Sequence, residues 1–183
     1  MKSIIRSAKP YWIYLILTGK KTVEVGKEYP KAADWNKTVE MYCSKDMRSF
    51  NRIPEKDRAW MRKYLGKVAC RFVCDKVDKY NYHKGLTKFG GELGLPIGTY
   101  DSYLIFEDDY KAMCLTYDEV KSYGGGKPLY GLHITDLKIY DKPKELGEFK
   151  KTVKKCTNDV WYRVKESPTC PPQSYYYVEE LRG

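Results

Sequence analysis

The 183 residues are enough for one domain with a substantial core, and a second domain is not required. Hydrophobic residues make up 42% of the chain and aromatic residues 15%, which excludes an intrinsically disordered protein. The formal net charge is +10, from 34 Lys and Arg against 24 Asp and Glu, and it favours a polyanionic partner. The 18 tyrosines strengthen that expectation, because aromatic rings offer stacking surfaces for nucleobases beside cations that neutralise phosphates.

The six cysteines form no CxxC pair, and no secretory signal precedes the first elements. The apolar run YWIYLIL is too short to span a bilayer, so a membrane association is not expected. These features predict a cytoplasmic protein whose thiols are free and buried, in preference to a disulfide framework or a zinc site. No metal and no cofactor are expected.

The N-terminal half begins with a short strand, SIIRS, followed by a compact apolar helix over residues 10 to 18. Pro10 suits the first turn of that helix and Gly19 suits its end. Alternating β-branched residues predict strands at KTVEV and TVEMYCS, and the clearest strand is GKVACRFVCDKVDKY. A helix is predicted at PEKDRAWMRKYL, between the strands TVEMYCS and GKVACRFVCDKVDKY.

The C-terminal half contains a capping box formed by Thr116 and Glu119, which predicts the start of a short helix. A long strand is predicted at PLYGLHITDLKIY, a basic turn-like segment at DKPKELGEFKKTVKK and a closing strand at SYYYVEEL. The predicted class is α+β, a small mixed β-barrel of about five to six strands with short flanking helices. The whole chain, residues 1 to 183, is expected to be a single domain, with insertions or long loops near residues 46 to 64 and 80 to 106.

Four segments resemble the ASCH domain proteins of the PUA-like superfamily, in particular forms from phages and Gram-positive bacteria. They are GKKTVEV, GKVACRFVCDKV, YGLHITDLKIYDKPKELGEF and PPQSYYYVEEL, and they occur in the expected order along most of the chain. The resemblance implies a PUA-like pseudo-barrel with helices set against it, and a cleft for RNA or a nucleotide-like ligand.

The ASCH signature GxKxxExR matches this chain at Gly19, Lys21 and Glu24. Its arginine falls on Gly26, and Lys27 follows one residue later. A lysine does not replace an arginine fully, because a guanidinium can hold a carboxylate or phosphate with two parallel hydrogen bonds. The resemblance implies that Lys21 and Glu24 are the candidate catalytic residues.

Further candidate ligand-binding residues lie close to the signature or at the two other strand ends. Thr22 and Lys27 flank Glu24, and Ser44 and Lys45 lie at the end of a predicted strand. The amide of Gln173 and the hydroxyl of Ser174 lie at the start of the final strand. One of the tyrosines that follow, Tyr175 first among them, is a candidate stacking platform. Each of these also has a purely structural interpretation as a strand-end or edge residue.

Three functions therefore remain open from the sequence. The first is binding of RNA, or of another nucleic acid or nucleotide, through a basic cleft beside Lys21, Glu24 and the turn at Gln173 and Ser174. The second is a hydrolase of the ASCH family, either a ribonuclease or an amidohydrolase of a modified nucleoside. In the amidohydrolase branch a threonine stands three residues after the lysine; here that position is Glu24, and Thr22 is the nearest hydroxyl. The third is a phage-encoded protein that interacts with a host factor in the host cytoplasm.

Overall fold

A computed structural model describes residues 2 to 32, 35 to 87, 98 to 103, 105 to 157 and 160 to 180. Within these ranges the chain forms five α-helices, two short 3-10 helices and twelve strands. The helices are α1 (Pro10–Leu17), α2 (Met47–Phe50), α3 (Glu55–Met61), α4 (Glu107–Met113) and α5 (Tyr117–Gly124), with 3-10 turns at Arg62–Tyr64 and Leu146–Glu148. The strands are β1 (Lys2–Ala8), β2 (Val23–Gly26), β3 (Trp35–Cys43), β4 (Val68–Val73), β5 (Val77–Tyr80), β6 (Tyr82–Thr87), β7 (Gly98–Tyr103), β8 (Leu129–His133), β9 (Thr135–Lys144), β10 (Phe149–Thr157), β11 (Val160–Glu166) and β12 (Tyr175–Glu180).

The strands form three sheets. The largest has seven strands in the order β11-β10-β12-β1-β3-β4-β9, the second has the order β2-β8-β5, and β6 pairs with β7. Strand β1 pairs with β3 in parallel and with β12 antiparallel. The first and last elements of the described chain therefore lie side by side in the middle of the main sheet.

The main core lies between this sheet and helix α1. The helix begins at Pro10 and buries Ile13, Ile16 and most of its other side chains, because nearly every position in it is apolar. It ends before Gly19, whose φ of +72° is a backbone conformation that glycine adopts without strain. This turn sends the chain directly into the segment that carries Lys21 and Glu24.

The mixed α+β class is confirmed, but the predicted number of strands is wrong. The described residues contain twelve strands in sheets of seven, three and two, instead of about five to six. The predicted long strand at residues 128 to 140 is two strands, β8 and β9, which belong to different sheets. The basic segment predicted as a turn contains the end of β9, a 3-10 turn and most of β10. Lysines on both faces of β10 hide the alternation by which strands are recognised in a sequence.

The two predicted insertions also contain regular structure. Residues 46 to 64 contain α2, α3 and a 3-10 turn, and the Asp46 side chain accepts a hydrogen bond from the Ser49 backbone at 3.1 Å. Residues 80 to 106 contain the paired strands β6 and β7, while residues 88 to 97 and 104 lie outside the described part of the chain. No helix in the described ranges is both long and apolar enough to cross a membrane.

Candidate functional site

Lys21 and Glu24 form a buried ion pair. The Lys21 backbone N–H donates to the Leu15 carbonyl at 3.0 Å, so Lys21 belongs to the turn that closes α1, and β2 begins only at Val23. Strict strand alternation would place positions 21 and 24 on opposite faces, but the turn removes that constraint. Their side chains meet, with 3.6 Å between Lys21 Nζ and Glu24 Oε2.

The Lys21 ammonium is held in a poorly solvated environment. It is 3% exposed, donates to the Met113 carbonyl at 2.6 Å, and lies 5.5 Å from the centre of the Trp12 ring. Burial lowers the pKa of Lys21 below its usual range, while the Glu24 carboxylate opposes that shift. The carbonyl of Met113 is at the end of α4, where a cation is favoured by the unsatisfied carbonyl groups.

The ion pair opens onto a cleft of about 700 Å³, a size typical of small-molecule sites. The cleft is bounded by the end of β1, helix α1, the Lys21 turn and one side of α5, and Gln173 contributes from the segment before β12. Its lining residues are Ser7, Ala8, Lys9, Trp12, Lys21, Glu24, Val25, Leu115, Asp118, Glu119, Ser122, Tyr123 and Gln173.

The lining is not basic, in contrast to the basic cleft expected from the sequence. It contains two lysines, Lys9 and Lys21, against three carboxylates, Glu24, Asp118 and Glu119. The excess positive charge of the chain therefore lies elsewhere on the surface. A cleft with this balance suits a neutral ring that carries hydrogen-bonding groups better than it suits a phosphate.

Three of the predicted site residues come together in this cleft, namely Lys21, Glu24 and Gln173. Thr22 is exposed and does not line it, although it anchors the turn through backbone hydrogen bonds to Ala112 and Ile134. Lys27 lies just outside, with its ammonium 5.2 Å from the centre of the Tyr123 ring. It can therefore support the wall of the cleft through Tyr123.

The remaining predicted residues are not part of the cleft lining. The Ser44 backbone N–H donates to the Ala8 carbonyl at 2.9 Å, and the buried Ser44 hydroxyl has no hydrogen-bond partner among the described residues. Lys45 is exposed. Ser174 is half-buried, and the Tyr175 hydroxyl donates to the Tyr29 carbonyl at 3.0 Å while its ring lines a different groove.

The guanidinium of Arg6 lies beside Gly26, the position on which the arginine of the resembled signature falls. A Cβ added at Gly26 would lie 2.0 Å from one terminal nitrogen of Arg6, so the guanidinium occupies the space beside this glycine. Arg6 is 4% exposed and donates to the Glu28 carbonyl at 3.1 Å, and its Nε has no partner among the described residues. The strand β1 thus supplies a buried guanidinium next to the position where the signature places one.

Sequence reasoning missed Trp12, Tyr123 and Arg6. Trp12 lies in a helix that is apolar throughout, so its sequence does not distinguish it from core residues. The sequence around Tyr123 predicts a helix but not the side of that helix that faces a cleft. Arg6 stands in the first strand, 20 positions before the glycine that it faces. No local signal in the sequence connects these residues to the signature.

The six cysteines are all free thiols, as predicted, but only Cys43, Cys70 and Cys74 are buried, whereas Cys156 and Cys170 are exposed. Within the described ranges, no three His, Cys, Asp or Glu side chains come together as a set of metal ligands. The polar and aromatic side chains that line the cleft are lysine, carboxylate, hydroxyl, amide, tryptophan and tyrosine groups.

Comparison with known proteins gives no match to a protein-family model and no match to a curated protein sequence. Among solved structures, the chain is similar to ASCH from Zymomonas mobilis, with 13% identity over 99% of this chain and 88% of that one and a TM-score of 0.49. A tyrosine-to-phenylalanine variant of the same protein matches at 12% identity, 100% and 91% coverage and a TM-score of 0.49. A serine-to-alanine variant matches at 12% identity, 99% and 89% coverage and a TM-score of 0.48. All three are structures of the same Zymomonas mobilis protein, and their identity to this chain is 13% or less.

Proposed function

We propose that this chain binds RNA, or a nucleotide-like ligand, by accepting a nucleobase in the cleft beside Lys21 and Glu24. The observation that carries the proposal is the buried Lys21–Glu24 pair at the edge of a cleft of about 700 Å³. The PUA-like barrel implied by the sequence resemblance would present such a cleft to an unpaired base.

The cleft offers a base both stacking and hydrogen bonding. Trp12 and Tyr123 contribute rings, the Gln173 amide is both donor and acceptor, and Glu24 is an acceptor. Sequence-specific RNA recognition commonly uses this combination on unstacked bases. The near balance of charge in the lining supports a base as the group that enters, with the phosphates remaining outside.

Binding of labelled single-stranded RNA and of free nucleosides would test the proposal. We expect Tyr123→Leu to weaken binding by about 5- to 150-fold, the equivalent of about 1–3 kcal/mol for one stacked base. Gln173→Ala should weaken it by about 5-fold, since a neutral hydrogen bond contributes about 1 kcal/mol.

Ser174→Ala is the matched control for Gln173→Ala, because Ser174 is adjacent in sequence and does not line the cleft. The affinity of Ser174→Ala for RNA and for nucleosides should equal that of the unchanged protein. Equal losses from both substitutions, or no binding of RNA or nucleosides at low salt, would refute the assignment to this cleft.

A hydrolase is the second candidate, and the lowered pKa of Lys21 favours it. A lysine that loses its proton more easily can act as a general base or activate a nucleophile. The position of Thr22 outside the cleft lining opposes an amidohydrolase that uses this hydroxyl. Incubation of RNA and acylated nucleosides with the protein, with Lys21→Ala and Thr22→Ala alongside, separates the two functions. Turnover by the unchanged protein that is lost in Lys21→Ala, while circular dichroism shows the variant to be folded, supports the hydrolase. Retention of intact RNA supports the binding protein.

A further inference from the structure

The antiparallel pair β10–β11 separates from the main sheet soon after it begins. Strand β10 pairs with β12 at Phe149 and Lys150, whereas its pairing with β11 continues from Lys151 to Thr157. The hairpin therefore leaves β12 and forms one wall of a groove of about 560 Å³ against Tyr175–Glu179. This groove shares no lining residue with the cleft of Lys21.

The register of the hairpin sorts its side chains into two different faces. Residues directly opposite each other in an antiparallel pair lie on the same face, and alternate positions along a strand share a face. One face carries the pairs Thr152 with Lys165, Lys154 with Arg163, and Cys156 with Trp161. This face, termed the basic face, contains three cations, one tryptophan and no acidic residue. The opposite face carries the ion pair of Lys155 with Glu166.

Lys154 and Arg163 are like charges placed directly opposite each other, an arrangement that destabilises a sheet. Both are exposed, and neither has an acidic partner among the described residues. Lys165, on the same face, is paired with Glu179. An anion held between Lys154 and Arg163 would remove their repulsion, and their positions favour a ligand with a negative charge.

The surroundings of this pair specify the anion further. The groove adds Lys2, Lys150 and Lys151, against two carboxylates, Glu28 and Glu179. At its other side, Lys154 and Arg163 also line a smaller hollow of about 410 Å³ with Trp161 and Tyr162.

Trp161 is 71% exposed, and its neighbours Val160 and Tyr162 are exposed as well. A group of adjacent exposed apolar side chains is typical of a binding surface. A line of cations that ends at an exposed indole matches a chain of phosphates with unpaired bases, because the cations follow the backbone and the ring stacks on a base.

We propose that the basic face of the β10–β11 hairpin is a second nucleic-acid site, which holds a single-stranded backbone at Lys154 and Arg163 and stacks a base on Trp161. The site is independent of the cleft, since it uses different residues and different chemistry. It also contains part of the excess positive charge, which is absent from the cleft lining.

The test measures binding of labelled oligouridylate and oligothymidylate as a function of salt. We expect Lys154→Gln/Arg163→Gln to lower the affinity at least about 10-fold and to reduce the slope of log K against log salt by about 1.4, at about 0.7 per phosphate contact. Trp161→Ala should lower the affinity about 5- to 150-fold, and Trp161→Phe should restore most of it. Because these side chains are exposed, circular dichroism should be unchanged in all the variants. The unfolding midpoint should not fall in Lys154→Gln/Arg163→Gln, since this double variant removes a repulsion between like charges.

The matched control is Lys56→Gln/Lys142→Gln, which removes the same charge from exposed positions outside the groove. Equal effects of the control and the hairpin double variant would overturn the proposal, as would oligoglutamate competing as well as the oligonucleotides. Loss in Gln173→Ala and Tyr123→Leu with unchanged binding in the hairpin variants would refute the hairpin site and leave the cleft standing. Loss of binding in the hairpin variants with unchanged binding in the cleft variants would refute the cleft and support the hairpin site. Equal affinity for oligouridylate and oligothymidylate would support recognition of the backbone and bases without a contact to the 2′-hydroxyl.

Discussion

Gly26 stands where the signature has an arginine, and the guanidinium of Arg6 occupies the space that any side chain at position 26 would need. An arginine introduced at position 26 would thus compete with Arg6 for the same space, and it would not simply add an anion-binding group. The structure supplies the charge from β1 and requires a glycine in β2 to make room for it.

We expect Gly26→Ala to destabilise the protein by about 1–3 kcal/mol, because the new methyl group displaces the buried guanidinium from the Glu28 carbonyl. Urea unfolding at neutral pH measures the effect. Gly147→Ala is the control, since nothing lies within 4 Å of a Cβ at that position. Equal stability of the two variants would mean that Arg6 moves away without cost.

The Lys21–Glu24 pair is the second residue-scale determinant. Replacing one partner leaves the other charge buried and uncompensated, so Lys21→Met should lower the free energy of unfolding by about 3–5 kcal/mol. The double variant Lys21→Met/Glu24→Leu should recover most of that loss. A double-mutant cycle by urea unfolding measures the coupling, and strictly additive losses would contradict an interacting pair.

At the scale of elements, helix α5 determines one side of the cleft. It contributes Asp118, Glu119, Ser122 and Tyr123, and its start is fixed by a capping box at Thr116. The Thr116 hydroxyl accepts from the Glu119 backbone N–H at 3.2 Å, and the Glu119 carboxylate accepts from the Thr116 backbone N–H at 3.0 Å. The position of the cleft wall therefore depends on a local signal at the beginning of this helix.

We expect Thr116→Ala to reduce the free energy of unfolding by about 1 kcal/mol, which is typical for the loss of a helix cap. The affinity of the cleft for nucleosides should also fall, because the first turn of α5, which carries Asp118 and Glu119, is less well ordered without its cap. Thr22→Ala is the matched control: its side chain is exposed, and stability should change by less than about 0.5 kcal/mol. An equal effect of the two substitutions would show that the hydroxyl at position 116 has no capping role.

At the scale of the whole molecule, buried thiols make the free energy of unfolding decrease as the pH becomes alkaline. Burial raises the pKa of Cys43 to about 12 and the pKa of Cys74 to about 11. The folded protein therefore retains protons that the unfolded chain releases above about pH 8.5. Stability is then fully present below that pH and is lost as the pH rises towards the folded values.

The free energy of unfolding should fall above about pH 8.5 by about 1.4 kcal/mol per pH unit for each such thiol. Urea unfolding between pH 7.5 and 10 measures the slope. Cys43→Ala should make it less steep, and Cys156→Ala, at an exposed position, should leave it unchanged. A slope that is identical in Cys43→Ala and in the unchanged protein would exclude this thiol as its source.

The sequence by itself determined the features that depend on neighbouring residues. Pro10 and Gly19 delimited α1, Thr116 and Glu119 predicted the start of α5, and the resemblance to the ASCH signature indicated Lys21 and Glu24, which line the cleft. Such signals are carried within a few residues, so they can be read without knowledge of the fold.

Only the tertiary structure decided which distant residues join that pair. Lys21 donates a hydrogen bond to the Met113 carbonyl, 92 positions away in the sequence. Gln173, near the C-terminal end of the described chain, lines the same cleft, and Arg6 occupies the space beside Gly26. The basic face likewise depends on the register that places Lys154 opposite Arg163. These contacts are fixed by strand pairing and by packing around the core, because a one-residue change of register would turn every side chain to the other face.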